Sequence, residues 1–396
     1  MDIPQLIESI KLVNSSDTVE SLDPQQRAEL YQACDRLRSQ CEAPLDKTLR
    51  LLYSYHQAIA VRLAVDLKLF DAIIKRSSED KEGQVRVGQL SEDVQADPKL
   101  VGRLMKLLVP LDILKQHTSD TFSPTRFTEA YVSSCWMSAA VIFFTHLVLF
   151  VARLPEYFKQ KGWKTPDDID DSPLNFALGT KDGYFEYMSS NPYYQNAFDT
   201  VMASPYRRDE KDWLDFFPVE KKLQVQTPTD VVLVDIGGGR GKDLLAFHKK
   251  FPSLQGRLVL QDLPHVLETA DLPNGIEVKP HSFFDEQPVK RAKAYYLRTV
   301  LHDWPDKQAV EILSRIREAM GPDSLVLIHE KAMPETNIPW MAAIGDVTMM
   351  TAFASAERTG KEWESLLNKA GLKLNRIWKP EGTSAQQQVI VEGALH

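Results

Sequence analysis

"VVLVDIGGGRGKD", residues 231–243, decides the fold. An apolar run broken by one aspartate stops abruptly at glycines, the pattern of a strand buried on both faces that ends in a ligand-facing turn. Gly237, Gly239 and Gly241 give a G-x-G-x-G spacing, and Gly238 adds freedom. Lys242 stands where the dinucleotide motif G-x-G-x-x-G has its last glycine, so the turn is of another kind. Glycines there let the main chain approach a ligand closely and admit positive φ. The next apolar run ends in "LVLQDLP" and sets Asp262 at a second strand end, where a carboxylate accepts from both ribose hydroxyls. The two features together predict a nucleoside cofactor rather than a structural turn.

The alternation continues to the C-terminus. "KDLLAFHKKF", "DKQAVEILSRIREAM" and "TGKEWESLLNKAG" read as helices; "GRLVLQDLP", "KAYYLRTVLHDW" and "DSLVLIHEKAM" read as strands. Strands of this kind between helices predict an α/β unit with a parallel, Rossmann-like sheet covered on both faces. Ligands bind beyond the carboxyl ends of such strands, and His302 follows one of those ends in "TVLHDWPD".

Upstream of this unit, "SAAVIFFTHLVLFVARLP" from Ser138 is the most apolar run in the chain. It is shorter than the about 20 residues that span a bilayer and carries His146 in its middle, which predicts a buried helix. Residues 51–130 read as a long helix, two short helices and a polar hairpin, a winged-helix pattern in which Asp97-Pro98 starts a helix. Residues 1–50 carry helical apolar spacing without a core of their own, which suits packing on another subunit. The expected organisation is therefore an N-terminal helical dimerisation segment (1–50), a winged-helix-like domain (51–130), connecting helices lining a substrate pocket (131–215) and a cofactor-binding domain (216–396).

Composition narrows the partners. The 396 residues carry a formal net charge of -8, and "PKLVGRLMKLL", the second winged-helix helix, has few basic residues. Both features argue against nucleic acid, since phosphate binding needs a basic face. Cys34, Cys41 and Cys135 lack metal-ligand spacing and read as reduced thiols in a cytoplasmic protein. No metal site and no membrane anchor are expected.

In that order, "VDIGGGRG", "LQDLP", "LHDWPD" and "ERTGKEW" behind a winged-helix-like segment resemble the class I S-adenosyl-L-methionine-dependent O-methyltransferases, of the caffeate/hydroxyindole type in its fungal secondary-metabolite branch. The resemblance spans nearly the whole chain. It implies a homodimer, a small-molecule substrate and a cofactor held by Asp235, Gly237, Gly238, Gly239, Gly241, Asp262 and Leu263. Phe283 would lie against adenine, and Arg298 would sit near the cofactor tail. The family commonly has an aspartate before the aromatic residue of "SFF"; Ser282 replaces it here and implies a rearranged adenine contact.

Methylating a phenol or enol requires an acceptor for its proton, and the unperturbed histidine pKa of about 6.5 suits that task. By the resemblance His302 is this base, with Glu330 and Glu357 as its acidic flankers. Asp303 is expected to bond the backbone at the strand end. His146, Arg208, Lys331, Met349 and Met350 are candidates for the substrate pocket, although His146 also reads as a buried core histidine and Lys331 as a solvated head on an apolar stem. The same fold also serves pericyclases, which keep the cofactor and need carbonyl-polarising donors rather than a base. A winged-helix regulator is the third alternative, and the complete glycine and base motifs argue against it.

Overall fold

The computed structural model describes residues 2–14, 21–204, 211–268, 270–382 and 388–396. The chain divides into two compact units, Met1–Glu129 and Ala130–His396.

In the first unit, helices Val87–Asp93 and Pro98–Leu108 lie between the first and second strands of a small antiparallel sheet. Its strands are β1 (Val85–Arg86), β2 (Leu114–Gln116) and β3 (Thr121–Pro124), in the order β1-β3-β2. Asp97 caps the second helix by accepting from the amides of Lys99 and Leu100 at 2.8 and 3.1 Å, with Pro98 at the first helical position as expected. The long helix expected from Leu51 is two helices, Pro44–Asp66 and Leu69–Glu79. Lys68, in left-handed conformation at φ 53°, breaks it. The preceding helix Pro24–Cys41 buries no residue, and Ile3, Ile7, Leu45, Leu49, Leu51, Leu52, Tyr53 and Tyr55 are all exposed within this unit. That much unpartnered apolar surface is the mark of an association face.

The second unit is built on β4 (Val231–Ile236), β5 (Arg257–Asp262), β6 (Ile276–Pro280), β7 (Ala294–Arg298), β8 (Leu325–Glu330), β9 (Leu372–Trp378) and β10 (Val389–Leu395). Their order is β6-β5-β4-β7-β8-β10-β9. The first five strands run parallel, while β10 lies antiparallel between β8 and β9, so the sheet is mixed. Every residue of β4 and β8 is buried, as expected for strands covered on both faces. Alternate residues of β7 serve the two sides. Tyr295 and Leu297 join one core with Ile312, Ile316 and Trp363; Ala294 and Tyr296 join the other with Trp213, Leu244 and Phe247. The strand order reverses between β4 and β7, where α/β sheets open their ligand crevice.

The apolar run from Ser138 forms helix Trp136–Val151 and, after a break at Ala152–Arg153, continues into helix Leu154–Lys161. Together they make a 26-residue stretch that by length and composition alone would cross a membrane, longer than the sequence suggested. Its inner face nevertheless joins a core: Phe143, Leu147 and Phe150 pack with Leu174, Tyr184, Ala197 and Phe353.

Candidate active site

β4 ends at the glycine turn. A Cβ on Gly238 would stand 2.5 Å from both the Asp235 carboxyl and Leu260, so no side chain fits there. Gly239, at φ 59°, has nothing within 4 Å of its would-be Cβ and turns its amide to Asp262 Oδ2 at 2.8 Å. The Asp262 carboxylate thus braces the turn while keeping acceptor capacity. Its other oxygen accepts from the Leu263 amide at 2.7 Å, and Leu263 itself is exposed. Asp235 is buried with neither carboxyl oxygen hydrogen-bonded. Burial, then the charges of Asp243 and Asp262, push its carboxyl well above the usual range against the pull of Arg298. A glycine turn open on one side, a strand-end carboxylate and an orphaned buried acid fit a nucleoside cofactor carrying cationic groups.

The other walls of the crevice come from β6 and β7. Phe283 lies 3.8 Å from where a Gly237 Cβ would stand and meets Trp304 edge-on at 5.7 Å. Ser282 makes local turn contacts, its carbonyl accepting from Asp285 at 2.9 Å and its hydroxyl from Phe284 at 3.4 Å. Arg298, last in β7, donates to Asp243 Oδ1 at 2.8 Å and to Gln388 Oε1 at 3.2 Å. Asp243 went unnoticed in the sequence because an acid in a helix's first turn is ordinary.

After β7 the chain turns sharply. Thr299 is left-handed at φ 49° and its amide donates to the His329 carbonyl at 3.2 Å. A β-branched residue in this region is a strained one, at roughly 1–3 kcal/mol. The turn leads into Leu301–Asp303, which carries His302 not on the strand but just past it, buried beside the end of β8.

Three carboxylates surround the imidazole. Glu357 Oε1 is 3.5 Å and Glu330 Oε2 3.9 Å from Nδ1, and Glu330 Oε1 also accepts the His302 amide at 3.3 Å. Asp303 Oδ1 stands 3.4 Å from Nε2, so Asp303 faces the ring as well as belonging to the turn, a role the sequence reading missed. Burial pulls the imidazole down, but Glu330, Asp303 and Glu357 together outweigh it and raise His302 to about 10. Burial pushes Glu330 up, the His302 charge opposes it, and the carboxyl ends at about 7. Glu357 is not a helix cap: Thr359 fills that position in a capping box with Glu362. Instead the Glu357 amide donates to Asp346 Oδ1 at 2.9 Å, and its carboxylate lies over Gly345 of helix Trp340–Phe353.

The expected pocket residues do not all gather at this point. His146 is buried between aromatic rings, stacked on Tyr194 at 3.6 Å, with Nε2 3.0 Å from the Tyr187 hydroxyl. Met349 packs in the same core, and Met350 is half-buried on the same helix. Lys331 is half-buried next to Glu330, its carbonyl taken by the Trp363 indole at 3.2 Å. Arg208 lies outside the described residues. Tyr184, absent from the sequence reading, comes close enough to feel the Asp303 charge and packs on Phe353 at 4.8 Å.

Residues 167–373 match the O-methyltransferase domain and residues 49–139 the O-methyltransferase dimerisation domain. The chain is 34% identical over 347 residues, 87% of both chains, to demethylsterigmatocystin 6-O-methyltransferase of Aspergillus flavus. It is 35% identical over 362 residues, 90% of this chain and 89% of the other, to O-methyltransferase penC of Penicillium thymicola. Among solved structures, LepI in complex with S-adenosylmethionine superposes with a TM-score of 0.80 at 29% identity over 100% of both chains, and one described as a pericyclic reaction enzyme does so at 0.80 and 28% over the same span. The dimerisation domain supports a homodimer, and the O-methyltransferase domain implies a small-molecule substrate and S-adenosylmethionine as cofactor. With its class I fold, its nucleoside crevice and these relatives, the chain belongs to the S-adenosylmethionine-dependent O-methyltransferases of fungal secondary metabolism.

Proposed function

We propose that His302 takes the proton from a phenolic or enolic hydroxyl of a polyketide- or alkaloid-like substrate as that oxygen is methylated. The observation that carries this reading is the ring of carboxylates. Glu330 and Glu357 at Nδ1 stabilise the imidazolium that forms, leaving the substrate hydroxyl to approach Nε2 beside Asp303. Bound S-adenosylmethionine supplies an electrophilic methyl group. A base raised to about 10 matches a phenol, whose pKa is also about 10, so proton transfer is close to thermoneutral. The drawback is occupancy: roughly 0.3% of such a base is neutral at pH 7.5. Met349, Met350 and Lys331 complete the substrate side in this reading. Asp235, the glycine turn, Asp262, Leu263, Ser282, Phe283 and Arg298 hold the cofactor. The site chemistry and small-molecule substrate fit a cytoplasmic enzyme.

One observation favours a second reading. At neutral pH the His302 ring is a donor, and a donor beside a cationic cofactor suits carbonyl activation in a pericyclic cyclisation, the activity named for one structural neighbour. The pH dependence separates the two. A base must lose its proton before it acts, so methylation should accelerate about tenfold per pH unit from 7 to 9 and level off near 10. A donor keeps its proton over the same range and loses it only near 10, so the rate should stay level from pH 7 to 9 and fall above 10. Phenolic polyketides of the demethylsterigmatocystin kind, incubated with enzyme and cofactor and followed by mass spectrometry across this pH range, provide the test. A product heavier by one methylene, with a rising limb, is expected; an isomeric product with unconsumed cofactor overturns the methylation reading.

A further inference from the structure

We infer that Arg358 is a positioning residue that fixes the spacing between His302 and both glutamates. Its guanidinium is buried, 2% exposed, and bonds on both sides of the histidine turn. Nη1 donates to the Leu301 carbonyl at 2.8 Å and Nη2 to the Trp304 carbonyl at 2.8 Å. Nε and Nη2 reach Asp306 Oδ1 at 3.1 and 3.0 Å. One planar group therefore holds the main chain before His302, the main chain after Asp303 and the first residue of helix Asp306–Ala319. Only arginine has enough donors in a rigid fork to do this.

The same residue reaches the glutamates through its own main chain. Its carbonyl accepts from Met333 at 2.9 Å, tying it to the segment that continues from Glu330. Glu357 is its immediate neighbour. The guanidinium also lies over the Trp363 ring at 5.2 Å, and that indole holds the Lys331 carbonyl. His302, Glu330 and Glu357 come from three separate segments, and Arg358 touches all three without facing the imidazole. Ala354, left-handed at φ 52°, turns the chain out of helix Trp340–Phe353, and Ser355 then adds a 2.8 Å bond to the Trp304 carbonyl.

The groups that face His302 are Glu330, Glu357 and Asp303, and their distances set its affinity for a proton. If Arg358 sets those distances, loosening it must move the His302 titration. The inference rests on His302 being the working group of the site, but the titration is read without turnover, so its failure is distinct from failure of that reading.

The test is NMR of the full-length dimer with labelled histidine, saturated with S-adenosylhomocysteine, in which the His302 signal is the one absent from His302→Asn. Two variants are compared with the wild type. Arg358→Lys keeps the charge but loses the fork. Asp306→Asn takes the charge from one anchor and so loosens it, at a carboxylate that is 51% exposed and so should fold. The expected result is a His302 midpoint lowered by about 1 unit or more in Arg358→Lys and by less in Asp306→Asn. Affinity for S-adenosylhomocysteine should stay within about threefold of the wild type in both. A wild-type midpoint in Arg358→Lys, or an unchanged midpoint accompanied only by lower thermal stability, overturns the inference. Should Arg358→Lys fail to fold, Asp306→Asn decides: a wild-type midpoint there also overturns it.

Discussion

His302 holds its proton with the help of neighbours that the unfolded chain does not bring together. Its pKa is about 10 when folded against an ordinary 6.5, so the stabilisation is complete below 6.5 and is lost as pH rises toward 10. Glu330, raised to about 7 from 4.5, also makes stability fall with pH, in the lower window between those values. Melting temperatures of the wild type should therefore drop between pH 7 and 10 more steeply than those of His302→Gln, by scanning calorimetry. Parallel curves would mean that the carboxylates do not hold the proton. In turnover, His302→Ala should lose roughly 10²–10⁴ in rate with cofactor affinity unchanged, measured by methylation and calorimetry. At this scale the sequence was half legible. His302 declared itself by following a strand end, but Glu330 and Glu357 lie 28 and 55 residues away and needed the resemblance. That Asp303 faces the ring was not legible, because a side chain's facing cannot be deduced from adjacency. His146 reads the same whether it faces a ligand or a tyrosine.

Among the elements, the legible strands are mostly buried runs, yet β10, also mostly buried, was not among the strands expected. β4, β5, β7 and β8 show long apolar runs, and the glycine turn has its own signature. β6 went unseen because it is an edge strand with Ile276 alone buried, and β9 because its burial is irregular. The glycine turn also supports a sharp test. Gly238→Ala would set a methyl carbon 2.5 Å from Asp235 and Leu260, neither of which can retreat, since Asp235 is fully enclosed and Leu260 is core. It should lower stability by about 1–3 kcal/mol and weaken S-adenosylhomocysteine binding at least tenfold, by denaturant titration and calorimetry. Gly239→Ala meets no atoms but is strained at its positive φ, and should lose less.

For the whole molecule, the exposed apolar side chains of residues 3–63 define what association must cover. Deleting the first 45 residues should give monomer or aggregate by light scattering, since Ile3, Ile7 and Ile10 go with them while Leu49, Leu51 and Leu52 stay bare. A soluble dimer of the shortened chain would place the interface elsewhere. The mixed sheet has a different kind of consequence. β10 is the last strand in sequence yet sits inside the sheet, with Val389 in register with Glu330. During synthesis at about 5–20 residues per second, β8 leaves the ribosome with one edge unpaired and keeps it so until β10 emerges. Throughout that interval the edge is a template for other nascent chains and a surface for chaperones. The pairing that completes this edge reaches Glu330 itself, so the backbone beside the proton-holding cluster is closed by a late strand that contributes no residue to the chemistry.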